Sequence, residues 1–241
     1  MIFEGKIEKI GANAFIGCKN LELTIPASVK EINFAAFGSV RRVTVAPENP
    51  RFKNGPAGEV IDIKEQRLIY LPPDTAGKYE MPGNIRRIGV NAISYNKKIE
   101  HLVISPGVEI IDSIAVAGCN ELKKVVLPEG VEVIENMAFY TCWKLEKINF
   151  PASLRKIDQG AFYCCNLKEV NIPYGVKTIG SKAFYSCNNL TTVFIPDSVE
   201  SIGDMAFACC MNLENISVPG HLAERVMEWG ISGDCQINIR H

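Results

Sequence analysis

The chain is predicted to be a β-rich repeat solenoid. It should form a right-handed coil of about nine turns of 22–23 residues, with a parallel β-sheet on one face, one hairpin-containing turn and a C-terminal helical cap. Three observations predict this. One pattern, C-x-x-L-x-x-V-x-I-P-x-x-V-x-x-I-x-x-x-A-F-x-x-C, recurs along the chain and is clearest over 122–142, LKKVVLPEGVEVIENMAFYTC. Each copy contains one short run of alternating apolar and polar residues, the period of a strand with one buried face. The copies are too short for a hairpin each, so successive strands must pair in parallel.

The residue closing each strand, usually proline, marks the phase. Pro26, Pro128, Pro151, Pro173, Pro196 and Pro219 hold that slot, and Glu4, Ala46, Pro82 and Ser105 stand in elsewhere. From Glu4 the intervals are 22, 20, 36, 23, 23, 23, 22, 23 and 23 residues. A fixed period in the low twenties is that of leucine-rich repeats, here of the α/β type. The L-x-x-L-x-L strand signature fits too, at Leu122/Val125/Leu127, Leu145/Ile148/Phe150 and onward to Leu213/Ile216/Val218. Slots three and one before the marker are apolar in every copy, from Leu23/Ile25 to Ile216/Val218, and must face the core. Slots four and two before it vary and face outward.

After the marker comes V-x-x-I (Val131/Ile134, Val176/Ile179), a short extended or 3₁₀-like return leg. Ala-Phe follows at 14–15, 36–37, 138–139, 161–162, 183–184 and 206–207, with Ala92-Ile93 and Ala115-Val116 as weaker versions. A tight corner accounts for the alanine, and filling of the space between turns for the phenylalanine. The 36-residue interval from Ala46 to Pro82 holds a hairpin signal, EVIDI at 59–63 and RLIYL at 67–71, expected to replace a missing return leg. At the far end HLAERVMEW (221–229) reads as an amphipathic helix stopped by Gly230, before a strand at 236–240. Leu222, Val226 and Trp229 lie at i, i+4 and i+7, so Trp229 is expected to cap the core. The whole of 1–241 is expected to be one domain: N-terminal repeats 1–46, irregular turn 47–81, regular repeats 82–219 and cap 220–241.

Of 241 residues, 47% are hydrophobic, enough for a continuous core, and the net charge is −1. No global field favours nucleic acid or an anionic membrane. No apolar run is long enough to insert in a bilayer. Residues 1–20 carry Glu4, Lys6, Glu8 and Lys9 with no apolar stretch, unlike a signal peptide. The expectation is a cytoplasmic protein if the chain is complete, or a surface or secreted one if it is a trimmed fragment.

The pattern closely resembles that of BspA-like leucine-rich repeat proteins, IP-x-S-V-x-x-I-G-x-x-A-F-x-x-C-x-x-L. IPYGVKTIGSKAFYSCNNL (172–190) and IPDSVESIGDMAFACCMNL (195–213) match it almost letter for letter. The resemblance covers essentially the whole chain. It implies a largely bacterial family, often on the cell surface, associated with adhesion, matrix-protein binding and contact between cells.

Cys18, Cys119, Cys142, Cys165, Cys187 and Cys210 each follow the repeat's alanine by four residues, forming a column. Neither Cys-x-x-Cys nor a Cys–His pairing of zinc type occurs, so no metal or other cofactor is expected. Equivalent side chains in a solenoid point the same way rather than at each other, which disfavours disulfides despite the short spacing of turns. Small buried hydrophobes at a corner are the expectation. Tyr140, Tyr163 and Tyr185 share one slot and should form a half-buried stack. No phosphate loop, nucleophile elbow or H-E-x-x-H is present, and no carboxylate pair stands out at matched slots, so an enzyme is not expected.

A non-catalytic protein-interaction module follows, with an intracellular scaffold as the alternative and an enzyme assembled across repeats a weaker one. The outward slot four before the marker reads Arg42, Lys78, His101, Lys124 and Lys147 in succession; the companion slot offers Val103, Val126 and, further on, Phe194. The expected partner is an acidic protein or an anionic glycan, bound by a monomer. The alternative is a solvated face partly neutralised by Glu100 and Glu146 at the rim.

Overall fold

The computed structural model describes residues 6–38 and 40–240; the marker Glu4 lies outside them. It is a β-solenoid of about ten turns with parallel sheets and very little helix. The marker strands, from Glu22–Ile25 through Lys124–Val126 to Asn215–Pro219, each pair with the strand of a neighbouring turn. Gln236–Arg240 pairs in register beyond the last marker, Ile216 against Ile237. Alternation sets the faces, as in Arg42–Val45, where Val43 and Val45 are buried and Arg42 and Thr44 exposed.

The return legs are extended rather than 3₁₀, and they build a second ladder. Ile110–Ile111, Val133–Ile134, Lys156–Ile157, Thr178–Ile179 and Ser201–Ile202 pair in parallel within a nine-stranded sheet. The Ala-Phe arc supplies a third set of backbone bonds. Met137, Phe139 and Thr141 donate to the carbonyls of Gln159, Ala161 and Tyr163 one turn on, at 2.9, 2.8 and 2.8 Å. In the regular repeats the residue before the Ala and the third after it have positive φ, 54° at Met137 and 56° at Thr141. Left-handed backbone costs a non-glycine residue roughly 1–2 kcal/mol, offset here because the arc N–H groups meet acceptors alternately in the next turn and in their own.

Inside the arc Phe139, Phe162, Phe184 and Phe207 stack in register, ring centroids 5.2, 5.4 and 5.4 Å apart and all buried. The buried thiols do more than fill space. Cys119, Cys142, Cys165, Cys187 and Cys210 donate to the carbonyls of Ile93, Val116, Phe139, Phe162 and Phe184 in the preceding turn, at 3.1–3.3 Å. Asn96 takes the cysteine slot in its own turn, where its amide donates to the Pro72 and Thr75 carbonyls. Cys18 departs from the expected burial: it lies in the first described turn and is exposed.

Two interruptions shape the surface. Val60–Asp62 and Arg67–Tyr70 form the antiparallel hairpin, and Arg67–Tyr70 pairs in parallel with Arg87–Ile88, taking the place of the missing return leg. The hairpin joins two cores: Val60 and Tyr70 enter the N-terminal one, Ile61 and Leu68 the longer one. The marker strands break here, between Arg42–Val45 and Gly77–Glu80. The Asn54 amide covers the open edge, accepting from the Val45 N–H at 2.7 Å and donating to the Val43 carbonyl at 2.9 Å. A second break separates Lys147–Ile148 from Glu169–Asn171. It coincides with Cys165-Asn166-Leu167, where C-x-x-L is one residue short. Ile148 and Phe150 beside it are only partly buried.

A 3₁₀ helix, Gly220–Trp229, closes the end, burying Leu222, Val226 and Trp229. Gly230 has φ 74°, and a Cβ there would lie 2.5 Å from the Ala208 Cβ, so only glycine fits.

Candidate ligand-binding face

Register gathers the basic residues on four consecutive paired strands. His101 sits opposite Lys78 on one side and Lys124 on the other, and Lys124 opposite Lys147. All four side chains are exposed. Val103 and Val126 pair in the companion slot and are half-buried. Arg42 lies apart, paired with Glu22 beyond the hairpin break. Phe194 lies in the last sheet, covered by the Arg240 guanidinium 4.4 Å from its ring centroid and 6.1 Å from Tyr174. The structure therefore brings together six of the eight predicted residues.

Each rim acid meets a lysine outside this column. Glu100 bonds Lys123 at 2.7 Å, and Glu146 lies 3.4 Å from Lys168. The Lys123 hydrogen bond holds the Glu100 carboxyl below its ordinary range, while Glu100 raises the Lys123 ammonium. Lys78 pairs with Glu80 on its own strand. Among the described residues neither Lys124 nor Lys147 has a carboxylate within ion-pair distance.

Several charges on adjacent turns alternate in sign and pair. Lys9–Glu31, Lys30–Glu8, Lys144–Glu121 and Lys177–Glu200 lie 2.8, 3.1, 2.7 and 2.9 Å apart, and Arg86 pairs with Glu109. One cluster of like charges was not singled out in the sequence. Asp112, Glu135 and Asp158 do share a matched slot, at steps of 23 residues that the marker spacing makes visible. Arg87 bridges Asp112 and Glu135, and Lys156 meets Asp158 at 2.8 Å. Burial pushes the Asp112 carboxyl up to about 6 against the pull of Arg87. This network lies on the return legs, away from the outward strand face.

Tyr140, Tyr163 and Tyr185 form the expected half-buried stack, with centroids 5.0 and 4.7 Å apart. Among the described residues no group of three His, Cys, Asp or Glu side chains is placed to hold a metal. No described helix is long and apolar enough to cross a membrane.

The family model for the BspA type leucine rich repeat region matches residues 1–47, 75–142 and 110–225 in six copies. Among solved structures the chain is similar to the pneumococcal vaccine antigen PcpA, with TM-score 0.67 and 21% identity over 98% of this chain and 60% of that one. It is also similar to a leucine-rich repeat protein from Eubacterium ventriosum, with TM-score 0.70 and 20% identity over 87% and 64%. A leucine rich cell surface protein from Faecalibacterium prausnitzii gives 0.68 and 24% over 94% and 55%. At such identities the likeness is one of fold, and the chain spans 55–64% of those proteins. No curated protein is significantly similar.

Proposed function

The chain belongs to the BspA-type leucine-rich repeat family, and from that premise we infer that it is a non-catalytic binding module for an anionic partner, an acidic protein or an anionic glycan. The contact is the outward strand face, where Lys78, His101, Lys124 and Lys147 supply charge and Val103 and Val126 apolar surface. A bacterial surface is the setting that the fold neighbours suggest, and adhesion there is what the family resemblance implies.

One observation carries this reading: the column stacks like charges on paired strands, where stability alone favours opposite ones. The Asp112–Glu135–Asp158 carboxylates, also stacked, each meet a counter-ion. Lys124 and Lys147 are left available.

The test is Lys124→Glu combined with Lys147→Glu, measured on immobilised heparin and on an acidic peptide. Loss of two attractive contacts and gain of two repulsive ones should weaken binding about tenfold or more at low salt. The difference should shrink as salt rises. Unchanged affinity with the fold intact would move the site elsewhere, with the hairpin at 59–71 next in line.

A further inference from the structure

We propose a second binding site, independent of the strand face: a slot for a neutral sugar ring at the edge of the arc, between Trp143 and Asn188. The residue after each repeat cysteine forms an exterior column, with Asn120, Trp143, Asn188 and Met211 on their turns. The turn between Trp143 and Asn188 is the one that is a residue short. Its single spacer, Asn166, occupies the next slot instead, accepting from the Asn189 amide at 2.6 Å as Glu121 accepts from Lys144. That turn therefore puts nothing between Trp143 and Asn188. With turns spaced about 4.8 Å, the two flanking turns lie roughly 9.6 Å apart centre to centre, which leaves about one 4.8 Å layer between their side chains, room for one ring.

A cavity of about 250 Å³ opens there, lined by Trp143, Cys164, Cys165, Asn166, Ser186 and Asn188. Its lining defines the ligand. No wall residue is charged, so an ion would be desolvated with no counter-charge. Trp143 is 60% exposed and offers an aromatic face to a ring's C–H surface. The Asn188 amide and the Ser186 hydroxyl have no protein hydrogen-bond partner among the described residues, and together they offer donors and acceptors to hydroxyl groups. A wholly apolar ligand would leave them unpaired. An added peptide strand finds no continuous row of donors, because the N–H groups of Cys164, Cys165 and Ser186 already bond to the carbonyls of Tyr185, Phe162 and Ala208. An aromatic platform with unengaged amide and hydroxyl groups, in an uncharged slot one ring wide, suits a pyranose.

The experiment titrates the full chain with methyl glucoside, galactoside and mannoside and with N-acetylglucosamine, following tryptophan emission. Trp229 is fully buried, so a change reports on Trp143. At least one sugar should give a saturable change with Kd in the millimolar range, about what a dozen heavy atoms allow. Trp143→Ala should abolish binding of that sugar, read by saturation-transfer NMR. Inserting one asparagine after Asn166 restores the repeat spacing and closes the gap; it should abolish binding without lowering Tm. The Lys124→Glu/Lys147→Glu variant should bind the sugar unchanged, which separates this site from the strand face. The proposal is overturned if no sugar saturates the signal. It is equally overturned if binding survives both Trp143→Ala and the insertion, or if only sialylated or sulfated glycans bind.

Discussion

Phe162→Ala is expected to lower unfolding stability by about 3–5 kcal/mol. Phe162 is wholly buried in the middle of the stack, 5.2 Å from Phe139 and 5.4 Å from Phe184, with Phe150 edge-on at 5.5 Å. Truncation leaves a cavity facing three rings at once, and neighbouring arcs, tied by backbone bonds, cannot close on it. In a solenoid each turn is supported only by its neighbours, so the loss should spread to the adjacent turns. Urea midpoints check this against Tyr174→Ala, a change at a ring 70% exposed that should stay within about 0.5 kcal/mol.

Trp229→Ala should be of similar size, about 3–5 kcal/mol, but its effect should stay at one end. Trp229 is fully buried as the last large side chain of the core, and its carbonyl accepts from the Phe207 N–H at 3.0 Å. Losing the indole uncovers the apolar end of the column, and the arc at 205–208 loses its cover. Hydrogen exchange should show the turns after Pro196 opening first while the centre stays protected. Met227, on the same helix and 84% exposed, serves as control; Met227→Ala should leave exchange unchanged.

The strand faces, the Ala-Phe corner, the tyrosine stack and the capping tryptophan were all legible in the sequence, because each rests on a residue type repeated at fixed phase. Features that depend on where a backbone group points were not. V-x-x-I marks a buried leg, yet its pairing into a second ladder comes from turn spacing. Left-handed residues such as Ile114 and Thr141 carry no glycine signature, since the hydrogen bonds of the arc, rather than side-chain propensity, hold them there. Phase alone puts Arg42 next to Lys78, but the hairpin stands between their strands. The charge column itself was legible. That its rim acids are committed to Lys123 and Lys168 depends on side-chain direction, which spacing does not fix. Asn96 in a cysteine slot and the short C-x-L turn were visible as departures from the pattern; their consequences for capping and for the Trp143 gap needed the geometry.

Every assignment of a residue to a face depends on the register of the turns, and the nine cysteines report on that register directly. Cys119, Cys142, Cys165, Cys187, Cys210 and Cys235 are buried, while Cys18 and Cys209 are exposed and Cys164 half-exposed. Burial also suppresses the reactive thiolate: it raises the Cys165 and Cys187 thiols well above their ordinary value and Cys210 to about 12. Thiol labelling followed by intact mass, without reductant, should add three labels to the native protein, at Cys18, Cys164 and Cys209, and nine after denaturation. Rapid native labelling of Cys142 or Cys187, or a mass showing paired cysteines, would contradict the register and with it the placement of the binding face.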